Sequence, residues 1–170
     1  AQVRAAGVGL HTGARTIMTL RPAPENTGIV FCRSDLPGVP TIRAHALNVT
    51  DTRLSTCIEE NGGKVATIEH LMSAFAGLGI DNAYVDIDGP EVPLLDGSAA
   101  PFVYLIREAG IFEQRAAKRY VAIRKPVAIE LDGKRVAFEP HAGFRIDFAI
   151  EFNHPVFRET VNRVALDFSA

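Results

Sequence analysis

Features typical of a secreted or membrane-inserted protein are absent from the sequence. Its two cysteines, Cys32 and Cys57, lie far apart and make no disulfide framework, which favours a reducing compartment. No apolar run approaches the length of a membrane-spanning helix, and no charged segment followed by an apolar one resembles a leader. The sequence therefore predicts a cytoplasmic location without stable membrane insertion.

Charge and motif content exclude several further classes of protein. The 18 basic and 20 acidic residues nearly cancel, which argues against nucleic acid or a membrane surface as the main partner. The Gly-rich loops Gly7–Gly13 and Gly77–Gly79 lack the lysine of a phosphate-binding loop and the strand-to-helix setting of a dinucleotide fingerprint. Nucleotide triphosphate chemistry is therefore disfavoured, and no serine stands in a nucleophile elbow.

The middle of the chain contains a dense pattern of helix and strand signals. Helical spacing of apolar residues predicts a short helix with Thr67 as its N-cap, ended by the glycines that follow; the apolar positions are Ile68, Leu71, Met72, Phe75 and Leu78. Alternation over Ala83–Ile87 predicts a half-buried strand. Pro101 and the apolar residues after it predict a second amphipathic helix that ends at Gly110.

The remaining segments have the pattern of strands. Two β-rich segments join at a turn around Gly13, and Asn61–Gly63 is the strongest hairpin signal in the chain. Later strands, separated by turns such as Asp132–Gly133, predict a meander without helices. We predict an α+β fold with domains at residues 1–116 and 117–170. Because the second sheet would lack covering helices, we expect the sequence to be a fragment of a longer protein.

The dipeptide formed by Glu69 and His70 is the main candidate for a catalytic, metal-binding pair. At a helix start, the dipole favours a carboxylate and a neutral imidazole, and a neutral imidazole can bind a metal. The two side chains could converge on one water, with the histidine holding the metal and the glutamate taking the proton. The alternative is a glutamate in a capping turn beside a partly buried histidine, and the residue types alone favour this alternative.

Other titratable residues give weaker signals. His11 lies in a turn between glycines, where a solvated histidine is the favoured interpretation. None of the histidines outside the dipeptide has an acidic or histidine partner four residues on, so no second helical ligand pair is present. Four carboxylates cluster around a strand end, and a solvated face is favoured over a cation site there: Asp86, Asp88, Glu91 and Asp96.

Several long segments resemble one enzyme family. They are GVGLHTG, LRPAPENTGIVFCRSDL, TIEHLMSAFAGLGIDNAYVDI, EVPLLDGSAAPFVYLIREAGI and FNHPVF. Together they are similar to the UDP-3-O-acyl-N-acetylglucosamine deacetylases, zinc enzymes of lipid A synthesis in Gram-negative bacteria, over essentially all 170 residues. The resemblance implies hydrolysis of the N-acetyl group of UDP-3-O-(3-hydroxyacyl)-N-acetylglucosamine. It also implies two similar sheet-plus-helices halves, of which the second is incomplete here.

The resemblance also assigns roles to single residues. It implies that His70 is a zinc ligand and that Glu69 is the general base that deprotonates the zinc-bound water. Six further positions match substrate contacts of the family: His11, Leu54, Asp96, Lys134, Glu151 and Phe152. Of these, Glu151 stands where the family has aspartate, and Phe152 would offer a stacking face to the uracil base.

Two motifs of the family are missing from this sequence: the His-Lys-x-x-x-Asp stretch that completes the zinc site, and a C-terminal general-acid histidine. We therefore expect one histidine to hold zinc poorly and the chain to be inactive alone. The expected partner is a small molecule, the UDP-linked acylated amino sugar, and the expected state is a monomer. The rival hypothesis is a non-catalytic α+β interaction module in which Glu69 and His70 are structural. A metal-independent amidohydrolase is a further alternative.

Overall fold

The computed structural model describes residues 1–151, 154–157 and 162–168, which divide into two compact units, Ala1–Lys118 and Arg119–Ala170. Both α-helices in the described residues belong to the first unit, where they accompany two sheets. The predicted α+β class is confirmed. The elements of the first unit are β1 Val3–Val8, β2 Arg15–Pro22, β3 Ile29–Arg33, β4 Thr41–Arg43, β5 Val49–Asp51, β6 Cys57–Glu60, β7 Gly63–Val65, α1 Glu69–Gly77, β8 Ala83–Ile87 and α2 Ala100–Ala109.

The main sheet of the first unit has five strands in the order β1-β2-β8-β3-β4. Strands β3 and β8 pair in parallel, and the other neighbours are antiparallel. Along β8, buried residues alternate with half-buried ones, as the period of two predicts. The buried side of the sheet joins both helices in one hydrophobic cluster, which includes Met18, Phe31, Val85, Leu71, Phe75 and Phe102. Burial of these apolar side chains holds α1 and α2 on the sheet.

A smaller three-stranded sheet, β5-β6-β7, leads the chain into helix α1. Its β6–β7 hairpin turns through Asn61 and Gly62, which have φ of +53° and +78°. Positive φ at both central residues is the requirement of a type I′ turn, which asparagine and glycine meet most readily. The predicted hairpin is confirmed. A short 3₁₀ turn at Ala46–Asn48 precedes β5.

Both predicted helices are present, but the start of the first differs from the prediction. Thr67 is not the N-cap of α1: Ile68 occupies that position, and no side chain caps the helix there. Thr67 is instead buried with φ of +57°, and its hydroxyl donates to another residue. A tertiary hydrogen bond thus replaces the local cap that the residue type suggested. Helix α2 has Pro101 in its first turn and Gly110 at its C-cap, as predicted.

The second unit contains four described strands, β9 Val127–Leu131, β10 Lys134–Phe138, β11 Arg145–Ala149 and β12 Arg163–Asp167, with a 3₁₀ turn at Pro155–Phe157. Asp132 and Gly133 form the predicted turn between β9 and β10, with φ of +51° and +71°. The strands do not continue as one meander, because β11 pairs with β12 rather than with β10 in the described residues. The rings of Phe144 and Phe168 stack beside this second pair, with centroids 5.4 Å apart.

Candidate active site

Helix α1 begins with the two residues that the sequence analysis singled out. Glu69 and His70 are half-buried, whereas Leu71, Ala74 and Phe75 of the same helix are buried in the core. Neighbouring positions on a helix diverge by about 100°. Packing of the apolar face therefore leaves Glu69 and His70 on a flank that solvent can reach.

A hydrogen bond connects Glu69 to the loop between β5 and β6. The Oε2 atom of Glu69 accepts from the backbone N–H of Thr56 at 3.0 Å, and the N–H of Ile68 donates to the carbonyl of Thr56 at 3.4 Å. These contacts join the loop to the start of α1. The Oε1 atom of Glu69 is bonded to none of the described residues. A half-buried carboxylate with one oxygen available can take a proton from a bound water.

The same loop exposes an apolar side chain. Leu54 is 89% exposed and has φ of +63°, an uncommon conformation for a branched side chain. Backbone strain of this kind collects at ligand-binding positions, and it persists only where the surrounding structure enforces it. Leu54 lies two residues before Thr56, so the loop brings it into the neighbourhood of Glu69. Its role as a substrate contact stays a prediction.

The turn that carries His11 is held by a buried carboxylate. Glu91 is fully buried, and its oxygens accept from the N–H of His11 at 3.0 Å, the N–H of Thr12 at 2.9 Å and the hydroxyl of Thr12 at 2.8 Å. The hydroxyl of Thr67 donates to the same carboxylate at 2.8 Å. The imidazole of His11 itself is exposed. One carboxylate therefore joins the His11 turn to the residues that precede α1.

These contacts correct the interpretation of the four clustered carboxylates as a solvated face. It is wrong for Glu91, which is fully buried, and for Asp86, which is half-buried and forms an ion pair with Arg21. Asp88 and Asp96 are exposed, as that interpretation requires. The alternation pattern placed all four residues near one strand end, but only the packing of the His11 turn decides which of them is enclosed.

Two opposing effects act on the pKa of Glu91. Burial raises the pKa of its carboxyl, because the charged form loses hydration. Hydrogen bonds from His11, Thr12 and Thr67 favour the charged form and outweigh burial, so the pKa lies below its ordinary value. Glu91 is therefore a carboxylate at neutral pH, stabilised by N–H and O–H dipoles.

Comparison with known proteins places the chain in a family. The family model described as LpxC, UDP-3-O-acyl N-acetylglycosamine deacetylase, matches residues 1–170. The chain belongs to this family. The match includes β1, β8 and both helices of the first unit, and the resemblance stated from the sequence segments is confirmed.

Curated relatives in the LpxC family are similar over almost the whole chain. A UDP-3-O-acyl-N-acetylglucosamine deacetylase of Chromohalobacter salexigens is 56% identical over 167 residues, as is one of Legionella pneumophila strain Corby. A deacetylase of the same name from Coxiella burnetii strain Dugway is 52% identical over 168 residues. The matches cover 98% to 99% of this chain but 55% of each relative. The chain therefore spans about half the length of the curated relatives it matches.

Residues predicted to contact the substrate are found in each of the two units. Asp96 is exposed in the first unit, and its Oδ1 accepts from the N–H and the hydroxyl of Ser98, each at 2.9 Å. This bonding organises the turn before α2. Lys134 and Glu151 are exposed residues of the second unit, and Phe152 lies outside the described residues.

The described residues do not by themselves form a zinc site. A zinc ion in a protein takes three or four protein ligands, mostly imidazole, thiolate or carboxylate. No group of three or more such side chains comes together in the part of the chain that the structure describes. His70, on the accessible flank of α1, can supply one nitrogen ligand, and the described residues do not complete a set of three around it.

Sequence reasoning missed the role of Glu91 and of Thr67. A signal was present: Glu91 stands between Pro90 and Pro93 beside the buried residue Val92, a setting unlike that of a solvated acidic residue. A charged residue in a short apolar, proline-bounded segment is enclosed when donors surround it. The donors come from residues 24 to 80 positions earlier, so spacing along the chain could not identify them.

Proposed function

We propose that this chain provides the first part of a zinc-dependent deacetylase that removes the N-acetyl group of UDP-3-O-(3-hydroxyacyl)-N-acetylglucosamine in lipid A biosynthesis. The observation that carries the proposal is the family match over residues 1–170, together with curated relatives of that name at 52% to 56% identity. The half-buried carboxylate of Glu69, with one oxygen available, supports it.

In the proposed reaction a water oxygen attacks the carbonyl carbon of the acetamide. Glu69 takes a proton from that water as the C–O bond forms. The C–N bond then breaks, the nitrogen gains a proton and leaves as the sugar amine, and the acetyl carbon leaves as acetate. Thr56 contributes by holding one oxygen of Glu69, which orients the other towards the water.

His70 is the proposed zinc ligand, and its further ligands would come from outside the described residues. Zinc, when bound, lowers the pKa of its water from about 15.7 towards 7 and makes it a competent nucleophile at neutral pH. Asp96 and the second-unit residues Lys134, Glu151 and Phe152 are the proposed contacts of the UDP moiety. His11 and Leu54 are the proposed contacts near the acetyl group.

The proposal places the reaction in the cytoplasm, with a monomeric protein and a small-molecule substrate. No helix within the described part of the chain is both long and apolar enough to cross a membrane. The near balance of 18 basic and 20 acidic residues accords with a small-molecule substrate rather than a polyanion.

The decisive experiment joins this chain to the part of the Chromohalobacter salexigens relative that it does not cover and measures acetate release from the UDP substrate. We expect the chimera to be active and chelator-sensitive, and the 170-residue chain alone to be inactive. In the chimera, Glu69→Gln should lower kcat by about 10²- to 10⁴-fold, the usual contribution of a general base. His70→Ala should lower zinc content as well as turnover.

Glu60→Gln is the matched control, because Glu60 is a half-buried carboxylate of the same unit that accepts hydrogen bonds from Arg43 and, among the described residues, none from α1. It should leave kcat within about twofold. A folded chimera without activity would contradict the proposed function, and so would full activity of Glu69→Gln. Acetate release that a chelator does not change would favour a metal-independent amidohydrolase instead.

A further inference from the structure

The carboxylate of Glu91 is enclosed by neutral donors alone. Its side chain is fully buried, and no basic side chain among the described residues forms an ion pair with it. All its hydrogen bonds come from the backbone N–H groups of His11 and Thr12 and the hydroxyls of Thr12 and Thr67. A buried charge without these bonds would be strongly unfavourable, so each donor is held in place by the need to satisfy it.

On one side, this carboxylate organises the turn between β1 and β2. The turn is closed by backbone bonds from Gly9 N–H to Ala14 carbonyl at 2.9 Å and from Gly13 N–H to Gly9 carbonyl at 3.0 Å. A Cβ atom at Gly9 would lie 2.3 Å from Oε2 of Glu91. The absence of a side chain at Gly9 is what lets the carboxylate reach the N–H groups of the turn.

On the other side, the same carboxylate fixes the entry into helix α1. The residue before Thr67 pairs with the Glu91 segment: Ala66 N–H donates to the Pro90 carbonyl at 2.9 Å, and Val92 N–H donates to the Ala66 carbonyl at 3.1 Å. Thr67 has φ of +57°, an outlier for a β-branched residue. Its hydroxyl bond to Glu91 is a tertiary contact that holds this strained conformation in place.

Thr67 precedes Glu69 by two residues, so its backbone conformation sets the direction in which the chain enters α1. We infer that Glu91 is a positioning residue of the proposed active site, whose carboxylate holds the His11 turn and the start of α1 in one fixed arrangement. Because Glu91 is fully buried, we assign it no direct contact with a substrate. It acts through Thr67 on the orientation of Glu69 and His70, and through the backbone of His11 on that turn. This inference rests on the proposed function.

The test uses the 170-residue chain and reads both segments by NMR. Amide exchange of Thr12 reports the turn, and the amide resonance of Thr56 reports the carboxylate of Glu69, to which it donates. In Glu91→Gln, we expect amide exchange of Thr12 to quicken by about ten- to hundredfold, the range for loss of a hydrogen bond to a charged group. The Thr56 amide and the His70 imidazole resonances should shift in the same variant.

Thr67→Val and Thr67→Ser form a matched pair that tests the same link where Glu91→Gln disturbs folding. Valine keeps the shape and removes the hydroxyl, so it should shift the Thr56 and His70 resonances. Serine keeps the hydroxyl and should leave both at their wild-type positions. Asp88→Asn is the control, because Asp88 also accepts a backbone N–H, that of Ile17 at 2.6 Å, but lies outside this network. It should leave the Thr12 and Thr56 amides unchanged.

The inference is overturned if Glu91→Gln changes the His11 turn alone and leaves Thr56 and His70 as in the wild type. It is equally overturned if Thr67→Val leaves these reporters unchanged in a folded chain. None of these measurements depends on turnover. Failure of the proposed function would appear instead as an inactive chimera, whatever the NMR result, so the two failures are distinguishable.

Discussion

Replacing Gly9 with alanine should destabilise the first unit, although alanine stabilises at glycine positions whose backbone conformation it can adopt without strain. Gly9 is outside the left-handed region, so alanine is compatible with its backbone and would normally add about 0.4–1 kcal/mol by restricting the unfolded chain. Here the added Cβ would lie 2.3 Å from Oε2 of Glu91 and 2.4 Å from the hydroxyl oxygen of Thr12. Real Cβ atoms essentially never approach so closely, so the carboxylate or the turn must move.

The magnitude follows from what that movement breaks. Retreat of the carboxylate by about 1 Å lengthens its bonds to the N–H and hydroxyl of Thr12, which measure 2.9 and 2.8 Å. A hydrogen bond to a charged group contributes about 1.5–3 kcal/mol, and a strained small-to-large change costs about 1–3 kcal/mol. We expect Gly9→Ala to lower the free energy of unfolding of the first unit by about 3 kcal/mol.

A double-mutant cycle with Glu91→Ala isolates the cause. Without the carboxylate, the Thr12 hydroxyl loses its acceptor and can rotate away from the new Cβ, so Gly9→Ala should cost about 1 kcal/mol or less in that background, a coupling of about 2 kcal/mol. Amide exchange of the slowest N–H groups in β3 and β8 measures the global opening free energy of this unit. Gly77→Ala is the control, because no atom lies within 4 Å of a Cβ there, and it should stabilise by about 0.5–1 kcal/mol.

Two results would refute this reasoning. The first is a Gly9→Ala chain as stable as the wild type, or more stable, in the manner of Gly77→Ala. The second is an equal cost of Gly9→Ala with and without the Glu91 side chain. Either result would mean that the turn adapts to a side chain at Gly9 without displacing the carboxylate.

Three further predictions concern single side chains. Because the folded-state pKa of Glu91 lies below its usual value, the stabilisation by its carboxylate is present above about pH 4.3 and is lost as the pH falls through the folded pKa. The difference in unfolding free energy between wild type and Glu91→Gln, measured by urea titration, should therefore shrink on acidification. A difference that stays constant with pH would contradict this. Thr16 is buried, and its hydroxyl has no hydrogen-bond partner among the described residues. Thr16→Val should therefore raise the urea midpoint of unfolding by the equivalent of about 1 kcal/mol. A loss of stability would show that the hydroxyl has a partner. Gly62→Ala should lower the free energy of unfolding by about 1–2 kcal/mol, as measured by thermal unfolding, because Gly62 has φ of +78°. Steric overlap adds nothing, since no atom lies within 4 Å of the added Cβ. An unchanged stability would contradict the type I′ turn.

Much of the fold was predictable because its signals are local. The period of two in Ala83–Ile87, the turn residues Asn61 and Gly62, and the apolar spacing of both helices depend on neighbours in the chain. These elements are present as predicted. The pairing of β11 with β12 could not be predicted from local signals, because strand pairing depends on packing between segments that are separated in the sequence.

In the candidate site, too, some features were predictable from the sequence and others were not. Family segments identified Glu69 and His70, and the helical spacing around them predicted a helix with one buried apolar face. The contact between Glu69 and Thr56 and the burial of Glu91 are visible only in the folded chain. Thr67 shows why: its residue type favours a helix cap, but a carboxylate 24 positions later offers its hydroxyl a buried partner instead.

The sequence by itself thus determined the α+β class, the identity of the family and the pair of residues proposed for chemistry, since these depend on local pattern and on residue identity in long segments. Only the tertiary structure decided which carboxylate is enclosed and which segments it joins. The physical reason is that a buried charge is stable only where donors converge on it, and those donors come from the turn at His11 and from Thr67, which meet at Glu91 only in the folded chain.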